Sequence, residues 1–316
     1  MNNNSRACVL LLSDKSSGST IIQKEFLKHP EINHIYKNEK KIQETAYWNR
    51  AAAFLDRPQV KMEYSIFPIS AKRAKKDLND LFTYALDGVV LPYDKEELVF
   101  KGWYLLYQKY GPIFFEKSPH HLHYWSALEL IIECHEKFPE MNFKFIGLIR
   151  NPIDTLYSMW KRWRAIPERR QFEWLRVYNN LKKFHSIVGE RLKIVKYENV
   201  IRDKEIFRNL CHFIGVDYIS GIGDNLHEES IQKWRADKFF GFQLSPEVMN
   251  IALSYGYSDS EMITKQNKYW PIIRRFHNNS YKIVKLRVYT KRFMRKYYLT
   301  RQFVKFIKKL KIYIFI

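Results

Sequence analysis

The stretch that most constrains this chain runs from residue 8 to residue 26, Cys-Val-Leu-Leu-Leu-Ser-Asp-Lys-Ser-Ser-Gly-Ser-Thr-Ile-Ile-Gln-Lys-Glu-Phe. Its apolar start, residues 8–12, reads as a buried strand, and a hydroxyl-rich loop with one glycine leads into a helical pattern. A strand that turns tightly into a helix aims backbone N–H groups, the positive end of the helix dipole and hydroxyls at one spot. Phosphate, or a close relative of it, is the natural guest of such a cradle. The loop lacks the second glycine and following lysine of Gly-x-x-x-x-Gly-Lys-Ser/Thr, which disfavours a nucleoside triphosphatase. Taken alone, a turn of this kind is as readily a plain helix cap.

Strand and helix patterns alternate from residue 7 to residue 215. Strands are expected over 7–12, 113–115, 143–149 and 192–196, and 143–149 is apolar at nearly every position, as central parallel strands are. Helices are expected over 19–28, 38–56, 72–85, 96–110, 125–137, 171–188 and 203–213, with one more opening at Pro152 behind an Asn151 cap. Residues 57–71 have no convincing period and read as loop. The alternation predicts an α/β fold with a central parallel sheet covered on both faces. In such sheets ligands bind beyond the carboxyl ends of the strands. Residues 13–20, 116–119, 150–152 and Tyr197 all fall at such ends, so one site can gather them.

The formal net charge is +21, but no Asp or Glu follows Glu261 while 16 Lys and Arg do, so the first 261 residues carry 38 basic against 33 acidic side chains, or +5. Residues 281–316 hold 12 Lys and Arg and no acid, and Leu299, Phe303, Phe306, Ile307, Leu310 and Ile314 recur there at helical spacing. A basic amphipathic helix of this kind lies on an anionic membrane surface or packs on its own domain. Nucleic acid is disfavoured as a partner, because no reading motif accompanies the charge. Cys8, Cys134 and Cys211 are far apart and odd in number, which argues against a disulfide framework and for a reducing compartment. The start of the chain has neither a signal-peptide pattern nor a span-length apolar run. The expectation is a cytoplasmic protein, peripheral to the inner face of a membrane if the basic segment binds lipid.

Residues 145–158, Phe-Ile-Gly-Leu-Ile-Arg-Asn-Pro-Ile-Asp-Thr-Leu-Tyr-Ser, give the cradle a partner. A strand, then Arg-(Asp/Asn)-Pro-x-Asp, then a serine eight residues after the arginine resembles the 3′-phosphate motif of the sulfotransferases that use 3′-phosphoadenylyl sulfate (PAPS). Arg150 offers charge-assisted contacts to a phosphate and Ser158 a hydroxyl to the same anion. The resemblance implies that Lys15, Ser16, Ser17, Gly18, Ser19 and Thr20 form the 5′-phosphosulfate loop, with Lys15 one residue further from the glycine than the family places its base. Tyr197, in Tyr197-Glu198-Asn199-Val200, is similar to a tyrosine that lies near the nucleotide in the family. Residues 230–235, Ser-Ile-Gln-Lys-Trp-Arg, are similar to a late basic segment, which makes Lys233 and Arg235 a lid over the donor. The implied fold is the P-loop-like parallel sheet, as a domain over 1–261 with a basic helical extension over 262–316.

Two further segments are similar to the carbohydrate enzymes of that family, the heparan sulfate type among them. Glu116-Lys117-Ser118-Pro119 matches their Glu-Lys-Ser/Thr-Pro/Ala, which implies that Lys117 stands near the sulfuryl group or the acceptor. Glu44-Thr45-Ala46-Tyr47-Trp48 matches their Glu-x-x-Phe-Phe, whose glutamate is the presumed base. An acceptor hydroxyl must lose its proton as its oxygen attacks sulfur, so a carboxylate in hydrogen-bond reach suits the chemistry. Glu44 is otherwise a solvent-facing helix residue among Lys40, Lys41 and Arg50. The rival base is a histidine, with His120 and His121 in reserve. The implied reaction moves a sulfuryl group from PAPS to a hydroxyl or amine of a glycan or glycolipid, with Lys15 or Lys117 stabilising charge on the leaving phosphate and no metal required. The alternatives are a kinase, which needs magnesium and a triphosphate, and a peripheral membrane or nucleic-acid binding protein with a non-catalytic scaffold.

Overall fold

The computed structural model describes residues 6–276 apart from 39, 40, 43 and 88, and no side chains of 36–38 or 41–42. The basic helix expected over 281–316 lies outside the described residues. Strand β1 (Ala7–Ser13) is buried at every position because it has a parallel neighbour on each side. The edge strand β2 (Ile32–Asn33) and a separate two-stranded ribbon, β3 (Tyr36–Asn38) with β4 (Lys41–Ile42), follow. Strands β5 (Ile113–Lys117), β6 (Phe143–Ile149) and β7 (Leu192–Lys196) complete an all-parallel sheet in the order β2-β5-β1-β6-β7. The four main strands and their directions are those the sequence predicts. The two-residue β2 and the ribbon are too short for a periodic signal.

The helices are α1 (Ser19–Phe26), α2 (Tyr47–Phe54), α3 (Ala71–Ala85), α4 (Lys95–Lys109), α5 (Trp125–Lys137), α6 (Pro152–Trp163) and α7 (Pro167–Val188). Then come α8 (Tyr197–Arg202), α9 (Lys204–Ile214), α10 (Pro246–Ser254) and α11 (Asp259–Met262). They cover both faces of the sheet. On one face Leu10, Leu12, Phe114 and Phe145 pack with Trp48, Trp103 and Tyr178; on the other Val9, Leu11, Phe115 and Ile146 pack with Phe26, Phe207 and Leu210. This alternation along each strand is what a doubly covered parallel sheet requires. Asn151 caps α6 as expected, its side chain accepting from the N–H groups of Ile153 and Asp154. Beyond residue 261, Trp270 packs its ring on Trp160 and Phe240.

One predicted helix is much shorter than expected, whereas α1 loses only its last two residues. The pattern over 38–56 forms helix only from Tyr47, because Ala46 takes a left-handed φ of 44° and Ser118 and Thr45 hydroxyls bind the N–H groups of Ala46 and Tyr47. Glu44 therefore stands in an exposed connection before α2 and not on its surface. Among the described residues, no helix is long and apolar enough to cross a membrane.

Candidate functional site

Strands β1, β5, β6 and β7 end at Ser13, Lys117, Ile149 and Lys196, so the segments that follow them meet at one edge of the sheet. The turn from β1 to α1 passes through Ser16 at φ 62° and Gly18 at φ 87°. Gly18 caps α1 with a left-handed backbone, and the first N–H groups of the helix, which have no intrahelical acceptor, face its mouth. Glycine is needed there for a second reason. A Cβ on Gly18 would lie 2.1 Å from Cε2 of Tyr197, whose ring closes over the loop.

Arg150 leaves the end of β6 and lies 4.7 Å from the centre of that tyrosine ring. Its guanidinium donates to the Ser16 carbonyl at 2.9 Å and to the Ser230 carbonyl at 2.6 Å. Tyr197 and Ser230 share a hydroxyl–hydroxyl bond of 2.8 Å. The loop, Arg150, Tyr197 and the short turn Glu228–Ser230 thus form one cluster. Within it, Ser16 Oγ and Arg150 Nε are buried without a hydrogen-bond partner. Two orphaned polar groups beside a helix N-terminus fit an anionic guest, since burying such groups unpaired is costly.

Asp154, one turn into α6, is pushed up to about 7 by burial, against the opposing pull of Arg150, and accepts from the Gln232 N–H at 2.8 Å. Ser158 lies one further turn along the same face of α6, half-buried, and no hydrogen bond joins it to Arg150. Lys233 is exposed; Arg235 stacks on Trp234 at 4.8 Å and donates to the Ser260 carbonyl at 2.8 Å. Lys15 is buried and turned from the hydroxyls of its own loop. Its ammonium donates to the carbonyls of Glu63, at 2.9 Å, and Tyr64, at 3.4 Å. Burial and the nearby Arg170 charge lower it to about 8.

On the β5 side Lys117, almost fully buried, reaches across the mouth of the loop. Its ammonium donates to Thr20 Oγ1 at 3.1 Å and pairs with the carboxylate of Glu44, which is 43% exposed. An exposed carboxylate on a buried ammonium is open to a substrate on one side and fixed on the other. His120 lies apart from this pair, its ring 5.5 Å from that of Phe67. Burial, with the charge of Lys15, holds its imidazole well below the ordinary histidine range.

Beneath these groups are two buried polar networks that sequence reasoning missed. Asp14 accepts from the Lys15 N–H at 2.7 Å, pairs with Arg170 and faces His123 Nε2 at 3.1 Å. Burial would raise this carboxyl, but the Arg170 charge and the His123 bond outweigh it and hold it far below the usual carboxylate range. Under Glu44 and Lys117, Glu116 accepts from Thr45 and Ser118 hydroxyls, each at 2.6 Å, and faces His121 at 3.1 Å. Burial raises this carboxyl too, and His121 with the two hydroxyls brings it below its ordinary value. Asn49 orients His121 at 2.9 Å. Asp14 could have been noticed as an acid inside an anion loop, whereas nothing near Arg170 in sequence marks it.

Residues 9–220 match the model of the sulfotransferase family. Among solved structures, the sulfotransferase domain of the Synechococcus PCC 7002 olefin synthase is similar at a TM-score of 0.56 and 16% identity, over 81% of this chain and 97% of that one. A sulfotransferase domain from the curacin biosynthetic pathway is similar at a TM-score of 0.51 and 16% identity, over 80% and 98%. No curated protein sequence matches significantly.

Proposed function

From the premise that the chain belongs to the sulfotransferase family, we propose that it transfers a sulfuryl group from PAPS to a hydroxyl or amine of a glycan or glycolipid. The observation that carries the reading is Lys117, whose ammonium spans Thr20 of the anion loop and the exposed carboxylate of Glu44. A donor-side hydroxyl and an acceptor-side base are thereby held by one buried cation. The sugar acceptor is supported by the similarity of 44–48 and 116–119 to the carbohydrate enzymes.

Ser17, Gly18, Ser19 and Thr20 with the N-terminus of α1 would hold the 5′-phosphosulfate, and Arg150, Ser158 and Tyr197 the 3′-phosphate end, beneath Lys233 and Arg235. Bound there, the donor supplies the sulfuryl group and leaves as adenosine 3′,5′-bisphosphate. Glu44 takes the acceptor proton as its oxygen or nitrogen attacks. Lys117 keeps Glu44 in place and offers charge where the leaving phosphate oxygen becomes negative. Lys15 takes part only by exchanging the Glu63 and Tyr64 carbonyls for the donor.

Calorimetry with adenosine 3′,5′-bisphosphate tests the donor site. Wild type binds, and Arg150→Ala, checked for native circular dichroism, binds about tenfold more weakly or worse, as loss of a charged hydrogen bond implies. Absence of binding to wild type, or equal binding by the variant, overturns the assignment. With an acceptor found by screening glycans against labelled donor, Glu44→Gln loses turnover while His120→Ala keeps it; the opposite result moves the base to the histidine.

A further inference from the structure

The donor and acceptor chemistry leaves unused a face built from residues 238–240 and 263–276. Phe239 is 65% exposed and Phe276 74%, and Ile263, Tyr269 and Ile272 are more than half exposed as well. Single apolar side chains on a surface need no explanation, but Ile263 and Tyr269 share one groove, Phe239 lies in sequence between two of its lining residues, Lys238 and Phe240, and Ile272 and Phe276 share a hollow. Lys238, Ile263, Lys265, Lys268 and Tyr269 line one groove of about 830 Å³, and Asn267 fastens its two sides by donating to the Lys238 carbonyl at 2.8 Å. The turn that continues from Tyr269 carries Ile272, Arg275 and Phe276, which line a second hollow.

The charge on this face has one sign. Asp237 is taken up by Lys161 and Tyr157, each at 3.0 Å, and Glu168 by Arg274 at 3.0 Å. Lys238, Lys265, Lys268 and Arg275 have no ion-pair partner among the described residues. Aromatic and branched tips interleaved with unpaired lysines suit the boundary of a bilayer, where apolar groups enter the acyl edge and ammonium groups meet headgroups.

We propose that this face docks the protein on a bilayer containing anionic phospholipid. Charge selects that occupant over two others. Residues 281–316 bring 12 Lys and Arg and no acid, so folding them back, or pairing two copies through this face, would add positive charge to positive charge. An anionic surface complements the face and the basic segment together. Trp234 and Arg235 line the same groove, which turns the 230–235 lid toward the lipid and presents the cleft to a glycolipid headgroup. That orientation rests on the donor site proposed above; the docking does not.

The test is co-sedimentation of the full chain with vesicles of phosphatidylcholine, with and without phosphatidylglycerol. Wild type partitions onto the anionic vesicles and is released by salt. Lys265→Glu with Lys268→Glu weakens partition by about fivefold or more for each charge reversed, and Phe239→Ser with Ile263→Ser weakens it in a way that salt does not reproduce. Failure of wild type to partition, equal partition onto neutral vesicles, or wild-type partition by both paired variants overturns the proposal. Thermal unfolding and bisphosphate titration of each variant stay at wild-type values, which excludes a folding defect. A wild type that binds vesicles but not the bisphosphate would overturn the donor reading and leave the docking face standing.

Discussion

The proposed donor side and the proposed acceptor side of the cleft are built on opposite principles. Around β1 and α1 the cradle is mostly backbone: a left-handed glycine, a helix N-terminus and a ring packed on the glycine, all but the ring within one short stretch of sequence. Around β5, side chains do the work, and Glu44, Thr45, Asn49, Glu116, Lys117 and His121 come together from two segments about seventy residues apart. Each side nevertheless stands on one buried carboxylate, Asp14 under the first and Glu116 under the second. Asp14 is compensated by a full guanidinium charge and Glu116 by two hydroxyls and a ring. A backbone cradle must be clamped rigidly because it has no side chain to adjust, whereas a side-chain cluster needs only orientation.

The clamp gives the largest expected effect. Asp14→Asn leaves buried Arg170 with Glu173, at 3.4 Å, as its remaining carboxylate, and destabilises the fold by about 3 kcal/mol in chemical denaturation, the lower end of the loss for breaking a buried pair. Asp14→Asn with Arg170→Met recovers part of that loss, since the guanidinium is gone and Glu173, which it also paired, keeps the Glu63 N–H. A single variant within about 1 kcal/mol of wild type would erase the distinction between clamp and orienting network. The sign with pH follows. Because Asp14 is held low in the folded state, its contribution is intact at neutral pH and is lost as pH falls below about 4. Asp14→Asn therefore has a shallower acid limb than wild type.

Glu116→Gln breaks the other side more gently, by about 1–3 kcal/mol, because the amide oxygen still accepts from both hydroxyls, which share Oε1, and only the group facing His121 becomes a donor. Its main effect falls on turnover, as Thr45 and the connection carrying Glu44 keep only a neutral, weaker acceptor, while affinity for adenosine 3′,5′-bisphosphate stays at the wild-type value. Equal loss of affinity and turnover would mean that the two sides are one unit.

The same difference explains what could be read from sequence. The cradle, the Arg150-Asn151-Pro152 turn and the four main strands were legible because each is a local pattern: an apolar run, a cap, a proline at the first helical position. The start of α2 was not, since the residues that stop the helix before Tyr47 are hydroxyls and a carboxylate, one of them 72 positions away. Arg170 was hidden for a like reason. It lies among Glu168, Arg169 and Glu173, just before the helix expected to open at 171, whereas α7 begins at Pro167 and the tertiary fold buries Arg170 on Asp14.

Gly18→Ala sharpens the donor side alone. The substitution forces a side chain into left-handed φ, at about 1–2 kcal/mol, and drives a Cβ into Tyr197. Bisphosphate affinity falls about tenfold, the equivalent of that strain, with a smaller drop in melting temperature than Asp14→Asn produces. Unchanged affinity would show that the backbone turn is not what recognises the donor.

The smallest effect probes the one contact that joins the two sides. Thr20→Val removes the hydroxyl that accepts from Lys117 and keeps the shape of the side chain, a loss of about 0.5–1.5 kcal/mol. Alone, it lowers kcat/KM severalfold. Combined with Glu44→Gln it distinguishes two arrangements. If Lys117 couples donor and base, the double variant loses less than the two single losses added together, because once one partner is gone the ammonium no longer transmits the position of the other. Strict additivity would mean that the backbone cradle and the side-chain cluster act independently, and that Lys117 merely fills the space between them.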